Sequence, residues 1–371
     1  MKLAVVAGEA SGDLHASEVV QELKKLDPSL ELFGIGGDLL AAEGMTLLHH
    51  AKEMGIVGLF NVLRHLRMFR RIFDELIARI EAERPDAVLL VDYPDFNLRV
   101  AKRCRALNIP VVYYISPQVW AWRRGRVKQI AANVARMIVI FPFEADFYRD
   151  HDVPVTYVGH PLVDELAHVP RRSKVSPSPD APLRLALMPG SRRGEVSSLL
   201  PPMLDAVAAL QRERAVDAFI IQAPTITSAE LLTHMNASGV FVPIIPHDRG
   251  EALAGADVAL SSSGTATLES AILDTPVVVM YRLSPATYVL ARRLVKLPHF
   301  SLVNIVAGER LVPELIQHDV NGERIAKEVR ALLAHYDEVV AGLAVVRERL
   351  GGLGASRRAA EEIFRMLAAS R

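Results

Sequence analysis

One cysteine, Cys104, is the whole thiol content of 371 residues. That excludes an internal disulfide framework and fits a reducing cytoplasm. Within the basic helical pattern RVAKRCRALNIP it reads as a packed side chain sooner than a nucleophile. Net charge is missing as well. The 43 Lys and Arg balance 43 Asp and Glu, so no global field draws in nucleic acid. No apolar run approaches the length of a membrane span. The opening MKLAVVAGEASGD lacks the long apolar core and cleavage site of a signal peptide, and runs straight into a strand and a glycine turn. The expectation is a cytoplasmic protein, with contact at a membrane surface left open. What is present is a core: half the residues are hydrophobic and 23% are charged, enough for two ordered domains.

The organisation is strand, loop, helix, repeated. LAVVAG, LELFGIGG, AVLLVDY, PVVYYIS, RMIVIFPF and VTYVGHP are short apolar runs separated by helical spacings. Residues 169–183, VPRRSKVSPSPDAPL, break the rhythm as a linker does. RLALMPGS, DAFIIQAP, VFVPIIP, ADVALSSSG and PVVVMYR restart it, and helical segments follow. The expected fold is α/β: two doubly wound parallel sheets facing each other across a cleft. The boundaries are residues 1–170, a linker at 171–182, and 183–349, with a helix from about 350 to 371 packing back on the first domain.

Ligands of such sheets bind beyond the carboxyl ends of the strands, so those loops carry the candidate chemistry. VLLVDYPDFNLRV, residues 88–100, ends in Asp92 and Asp95 around a Tyr-Pro pair. A strand interior would not hold two unpaired carboxylates, but a strand end facing a cleft can. AGEASGD, residues 7–13, is a tight acidic turn without the GxGxxG fingerprint. Glu9 there suits hydroxyl recognition, while Ser11 or Asp13 suits a helix N-cap. In LMPGSRRGEV, residues 187–196, Gly190 and Ser191 offer amides, and Arg192 and Arg193 offer charge to a diphosphate. A capped helix with two solvated arginines is the plainer alternative. In LSSSGTATLESAILDTPVVV, residues 260–279, a strand closes on hydroxyls and Gly264, and a helix starts near Thr265. The amide end of a helix carries about half a positive charge, and Glu269 one turn in suits a ribose diol. A serine-capped helix with Glu269 favoured in its first turn is again the plainer reading. Tyr281 and Arg282 follow the next strand, and HFSLVNIVAG, residues 299–308, is an irregular stretch holding Ser301 and Asn304.

Together AGEASGD, DYPDFNLR, YYISPQVWAWRRGRVKQI, FPFE, YVGHPL, PGSRRGEV, SGTATLE, YRLSP and SLVNIVAG, in this order up to about residue 308, resemble the lipid-A-disaccharide synthase family. The resemblance implies a GT-B-type glycosyltransferase with two facing Rossmann-like domains. It implies an inverting reaction: UDP-2,3-diacylglucosamine and 2,3-diacylglucosamine 1-phosphate give the β-1′,6-linked disaccharide 1-phosphate and UDP. It implies Asp95 as general base, its pKa raised by partial burial, with Asp92 as competitor or as cap of the turn that aims it. Glu9 would hold the acceptor or orient the base. Gly190, Ser191, Arg192, Gly264, Thr265, Glu269, Tyr281, Arg282 and Asn304 fall on the nucleotide-sugar side. No cofactor and no metal is implied, and Asp92 with Asp95 form DxxD, not the DxD of many metal-dependent transferases.

Both substrates would carry acyl chains, so the expected partner is the cytoplasmic face of the inner membrane, met peripherally. Residues 58–80, GLFNVLRHLRMFRRIFDELIARI, have basic amphipathic helical spacing. Phe60, Leu63, Arg64, Arg67 and Met68 are the expected acyl and membrane contacts, with the later half of the segment in the core. Of Trp120 and Trp122, one is expected in the core and the other against a sugar or acyl chain. Another UDP-N-acetylglucosamine transferase, an epimerase and a sugar-nucleotide binding module are the competing readings. A homodimer is left open.

Overall fold

The computed structural model describes residues 1–55, 62–284, 287, 288 and 297–368, with the side chains of 55 and 62–66 excepted. Phe60 therefore lies outside the described residues, as do the side chains of Leu63 and Arg64. The chain divides into two units: Met1–Asp164 with Gly351–Arg371, and Glu165–Leu350.

Among the described residues the first unit is built on seven strands: β1 (Lys2–Ala7), β2 (Glu31–Gly36), β3 (Thr46–His50), β4 (Ala87–Val91), β5 (Val111–Tyr114), β6 (Arg136–Val139) and β7 (Val155–Tyr157). They are parallel, in the order β3-β2-β1-β4-β5-β6-β7. β1 and β4 are the central pair, with Ala4 beside Val88. AVLLV of β4 is buried throughout, as a parallel strand covered on both faces must be. The chain winds outward from β1 in one direction and from β4 in the other. Their two following loops therefore sit side by side at the point of reversal.

The second unit repeats the plan with β8 (Leu183–Met188), β9 (Val216–Ile221), β10 (Ile244–Ile245), β11 (Val258–Ser262), β12 (Val277–Tyr281) and β13 (Glu314–Ile316). Its order is β10-β9-β8-β11-β12-β13, so the reversal lies between β8 and β11, where Leu187 pairs with Leu260.

Three local features differ from the sequence reading. β3 and β13 are sheet-edge strands of five and three residues that the apolar runs did not announce. VFVPIIP contributes only the two residues of β10. HFSLVNIVAG is not irregular: it holds the helix Leu302–Ala307. Ser301 Oγ accepts from the Asn304 amide at 3.3 Å, and Gly308 closes the end at φ 76°. Serine and glycine are the residues such ends favour.

The amphipathic helix Val62–Glu83 buries Ile72, Leu76, Ile77 and Ile80 in the core of the first unit. Met68 is partly buried and packs against that core. Arg67 is exposed. Among the described residues no helix is long and apolar enough to cross a membrane. The helix Ala355–Ala368 returns to the first unit and packs along the helix Ala10–Leu26. The Asp164 carboxylate accepts from the Gly354 and Ala355 amides at 2.6 and 2.9 Å, fixing its start.

Candidate functional site

In the first unit the turn after β1 carries Glu9 as the backbone N-cap of Ala10–Leu26, with its side chain exposed and making no capping bond. Gly8 has to be glycine: a Cβ there would stand 2.8 Å from the Tyr93 ring. That close approach locks the β1 turn against the β4 turn. Asp13 does not cap its own helix. Only 4% exposed, it accepts from the backbone amides of Gly37, Leu39 and Leu40 at 2.6, 3.0 and 3.2 Å. It thereby caps the short helix Asp38–Ala42, and Glu9 is left as the exposed acid of the turn.

Beyond β4 the backbone turns sharply. Asp92 and Tyr93 both sit at φ 45°, a left-handed conformation that ordinary side chains avoid. The carbonyl of Asp92 pays back part of that strain by accepting from Tyr113 Oη at 2.5 Å and Asn97 Nδ2 at 2.8 Å. The turn tucks Asp92 inward. Burial, and then the nearby charge of Glu9, push its carboxyl up to about 6. Asp95 goes the other way. Pro94 opens the helix Pro94–Ala106, and Asp95 in its first turn has a side chain 73% exposed. Its Oδ1 accepts from Arg126 and, at 3.5 Å, from Arg123. The burial expected for Asp95 thus falls on Asp92, because the left-handed pair reverses the chain between them.

Trp120 is the core tryptophan, donating from Nε1 to the buried Glu144 at 3.0 Å. Burial raises that carboxyl to about 8. Trp122 is 40% exposed, with the Arg123 guanidinium 4.5 Å above its ring. Sequence reasoning did not single out Arg123 and Arg126 as partners of Asp95; the run RRGRVK was the available signal. Cys104 is buried and its thiol is pushed up to about 12, so it is a packing residue.

In the second unit the residues expected on the nucleotide-sugar side lie mostly beyond the carboxyl ends of β8, β11 and β12. Gly190, at φ 115°, makes the turn after β8. The Ser191 and Arg192 amides already donate to Glu195 Oε2 at 3.1 and 3.4 Å, and Arg192 Nη1 donates to Oε1 at 3.0 Å. Glu195 thus fills a capping box at the mouth of its own helix. Beyond β11, Ser261 and Ser262 are buried and Gly264 is the N-cap of the helix Thr265–Ile272, with Thr265 exposed. Glu269 is partly buried, and burial raises its carboxyl against the opposing charge of Arg249.

Tyr281 stacks on Phe300, centroids 6.2 Å apart. Arg282 donates to the carbonyls of Gln317 at 3.2 Å, Ser198 at 3.0 Å and Val320. Asn304 is fully buried. It donates to Val312 O and accepts from the Leu311 and Val312 amides, all at 2.9 Å. Arg282 and Asn304 therefore hold the loops around the site in place. Among the described residues no cluster of three or more His, Cys, Asp or Glu could hold a metal ion.

The family described as lipid-A-disaccharide synthetase (LpxB) matches residues 3–365. A lipid-A-disaccharide synthase of Myxococcus xanthus is 44% identical over 375 residues, covering 99% of this chain and 97% of its own length. Among solved structures, the UDP complex of MnaA from S. aureus superposes with TM-score 0.66 at 12% identity, over 99% of this chain and 97% of that one. The calicheamicin glycosyltransferase CalG4 gives TM-score 0.59 at 16% identity, over 100% of this chain and 98% of that one. At such identities the two structures share the fold alone, that of GT-B glycosyltransferases and epimerases.

Proposed function

Because the chain belongs to the lipid-A-disaccharide synthase family, we propose that it joins UDP-2,3-diacylglucosamine to 2,3-diacylglucosamine 1-phosphate, with inversion, and releases UDP. Membership makes it a glycosyltransferase of lipid A disaccharide synthesis, acting on a sugar nucleotide and a lipid-linked acceptor. The particular substrates, the stereochemistry and the residue roles are our reading.

The acceptor 6-hydroxyl gives its proton to Asp95, and its oxygen attacks the donor's anomeric carbon. The bond from that carbon to the diphosphate breaks, and its electron pair leaves with UDP. The observation that carries this is an exposed carboxylate, Asp95, beside the reversal point of the first sheet, with two guanidiniums on one oxygen. Its Oδ2 is the oxygen turned over to the hydroxyl. Glu9 accepts from acceptor hydroxyls on the neighbouring turn. Asp92 shapes the turn, and its buried carboxyl keeps its proton in mildly acidic solution.

In this reading the first unit serves the acceptor and the second the donor. The amide end of Thr265–Ile272 and the Arg192 side chain meet the diphosphate, and Glu269 takes the ribose diol. The Ser191 and Arg192 amides and Arg192 Nη1 all meet Glu195, so the rest of the exposed guanidinium is what that loop offers to phosphate. Phe60, Leu63, Arg64, Arg67 and Met68 form the membrane contact, Met68 from a half-buried position.

The test is UDP release from the two diacylated substrates by the parent and by Asp95→Asn. Loss of a positioned general base is expected to slow turnover at least about a hundredfold. The melting temperature should not move, because Asp95 is exposed. Near-parental turnover would remove Asp95 from the role.

A further inference from the structure

A groove of about 590 Å³ lies beside Asp95, wholly within the first unit. That volume is in the range of small-molecule sites, roughly 300–1,000 Å³. One wall is the helix Pro94–Ala106, which presents Asp95, Arg99 and Lys102 at helical spacing on one face. The other wall is the turn Arg124–Arg126 and the helix Val127–Asn133, which bring in Arg126 and Lys128. Leu98 adds an apolar patch. Four cations therefore line a concavity against a single carboxylate.

An ordinary solvated helix face looks different, and this protein supplies the contrast. On Val62–Glu83, Arg70, Arg71 and Arg79 each have an acid one turn away, at 3.8, 3.6 and 2.9 Å. Asp95 stands one turn before Arg99, but its carboxylate is turned to Arg126 and Arg123; among the described residues Arg99, Lys102 and Lys128 form no ion pair, and of the groove's cations only Arg126 does, with Asp95. Unneutralised like charges gathered in one recess repel each other, and a bound anion relieves that repulsion. Arg126 is only 23% exposed, so the fork that touches Asp95 is held in place.

We propose that this groove seats the anomeric phosphate of the acceptor sugar, with Arg126 shared between that phosphate and Asp95. The inference rests on the reading of the previous section. An acceptor that offers its 6-hydroxyl to Asp95 carries its phosphate on C1, which only the ring oxygen separates from C5, the carbon that bears the hydroxymethyl arm. A single sugar therefore spans from Asp95 to the cations of the groove. Arg126 makes the two events one: the cation that receives the phosphate also orients the carboxylate that receives the proton. Arg99, Lys102 and Lys128 add charge without touching Asp95, so they act on acceptor affinity alone.

The same phosphate chemistry occurs on anionic phospholipid headgroups, and the experiment separates the two. UDP release is measured with the full-length protein in neutral-detergent micelles. The acceptors are 2,3-diacylglucosamine 1-phosphate and the same lipid without its phosphate. The parent is expected to prefer the phosphorylated acceptor at least about tenfold in kcat/KM. Arg99→Gln/Lys102→Gln is expected to lose most of that preference through the acceptor KM, with kcat and the donor KM near the parent's. Arg126→Gln should lose the preference and lower kcat as well, and Arg126→Lys should recover part of the KM.

A double variant that keeps the preference, or one that loses activity equally on both acceptors, overturns the proposal. So does a double variant that detaches from vesicles of equal parts phosphatidylglycerol and phosphatidylcholine while its acceptor preference stands; the groove would then be a headgroup site. A parent that turns over both acceptors alike sinks this inference alone. A parent that releases no UDP with either sinks the reading beneath it too.

Discussion

The two units carry the same winding with opposite chemistry at the point of reversal. Both sheets run outward from a central pair, β1 with β4 and β8 with β11, and both set two loops side by side there. In the first unit those loops hold Glu9, Asp92 and Asp95. In the second they hold Ser262, Gly264, Thr265 and Arg192. The way each first turn is fixed differs as well. Asp13 anchors the first from a buried position with three amide bonds to a neighbouring loop. Glu195 anchors the second from within its own helix with two. One scaffold can therefore present carboxylates or a hydroxyl-lined helix start with an arginine, because the sheet fixes where the loops lie and not what they contain.

The contrast in anchoring predicts the largest effect on stability. Asp13→Ala leaves three amides without their acceptor and should cost about 3 kcal/mol in a urea titration. Glu195→Ala, at an exposed helix end, should cost no more than about 1 kcal/mol. Equal losses would mean that the two turns are held alike.

Asp92 sharpens the electrostatic half. Its carboxyl titrates near 6 in the fold, against an ordinary 3.8. As pH rises through about 4 to 6 the unfolded chain gives up this proton first, so the folded state holds more protons and stability falls across that window. Asp92→Asn should remove the slope. It should be about 2–3 kcal/mol more stable than the parent at neutral pH and no more stable below pH ~4. Parallel pH curves for the two proteins would contradict a buried charge at this position.

The smallest effect is expected on the donor side. Glu269→Gln replaces a charged acceptor by a neutral one and should raise the KM for the UDP donor about tenfold, leaving the acceptor KM alone. A change confined to the acceptor KM would reverse the division of labour between the units.

Most of the fold was legible because β1, β4, β8 and β11 are built on short, mostly apolar runs closed by turn residues, a pattern written in adjacent positions. The edge strands β3 and β13 are short and half-covered, so neither length nor apolarity marked them. The loops that carry the candidate site were legible as strand ends and helix starts. Thr265 does open its helix, and Glu269 lies one turn in. What stayed hidden depends on groups distant along the chain. Arg126 meets Asp95 across 31 positions, and Asp13 meets Gly37 across 24. No local periodicity encodes either. The exchange of exposure between Asp92 and Asp95 turns on two left-handed residues, neither of them glycine, which a spacing argument has no reason to place there.

The return of Ala355–Ala368 to the first unit has a consequence for synthesis. The helix lies along Ala10–Leu26, where Ala16, Val19, Val20 and Leu23 are buried together with Ala359, Ala360, Ile363 and Leu367. A nascent chain that has delivered every strand of the first sheet still lacks this cover. Its apolar seam stays open while the whole second unit emerges from the ribosome. Chaperone attendance should therefore last until the final helix arrives, and a chain stopped near residue 350 should be degraded or aggregate with every described strand already made.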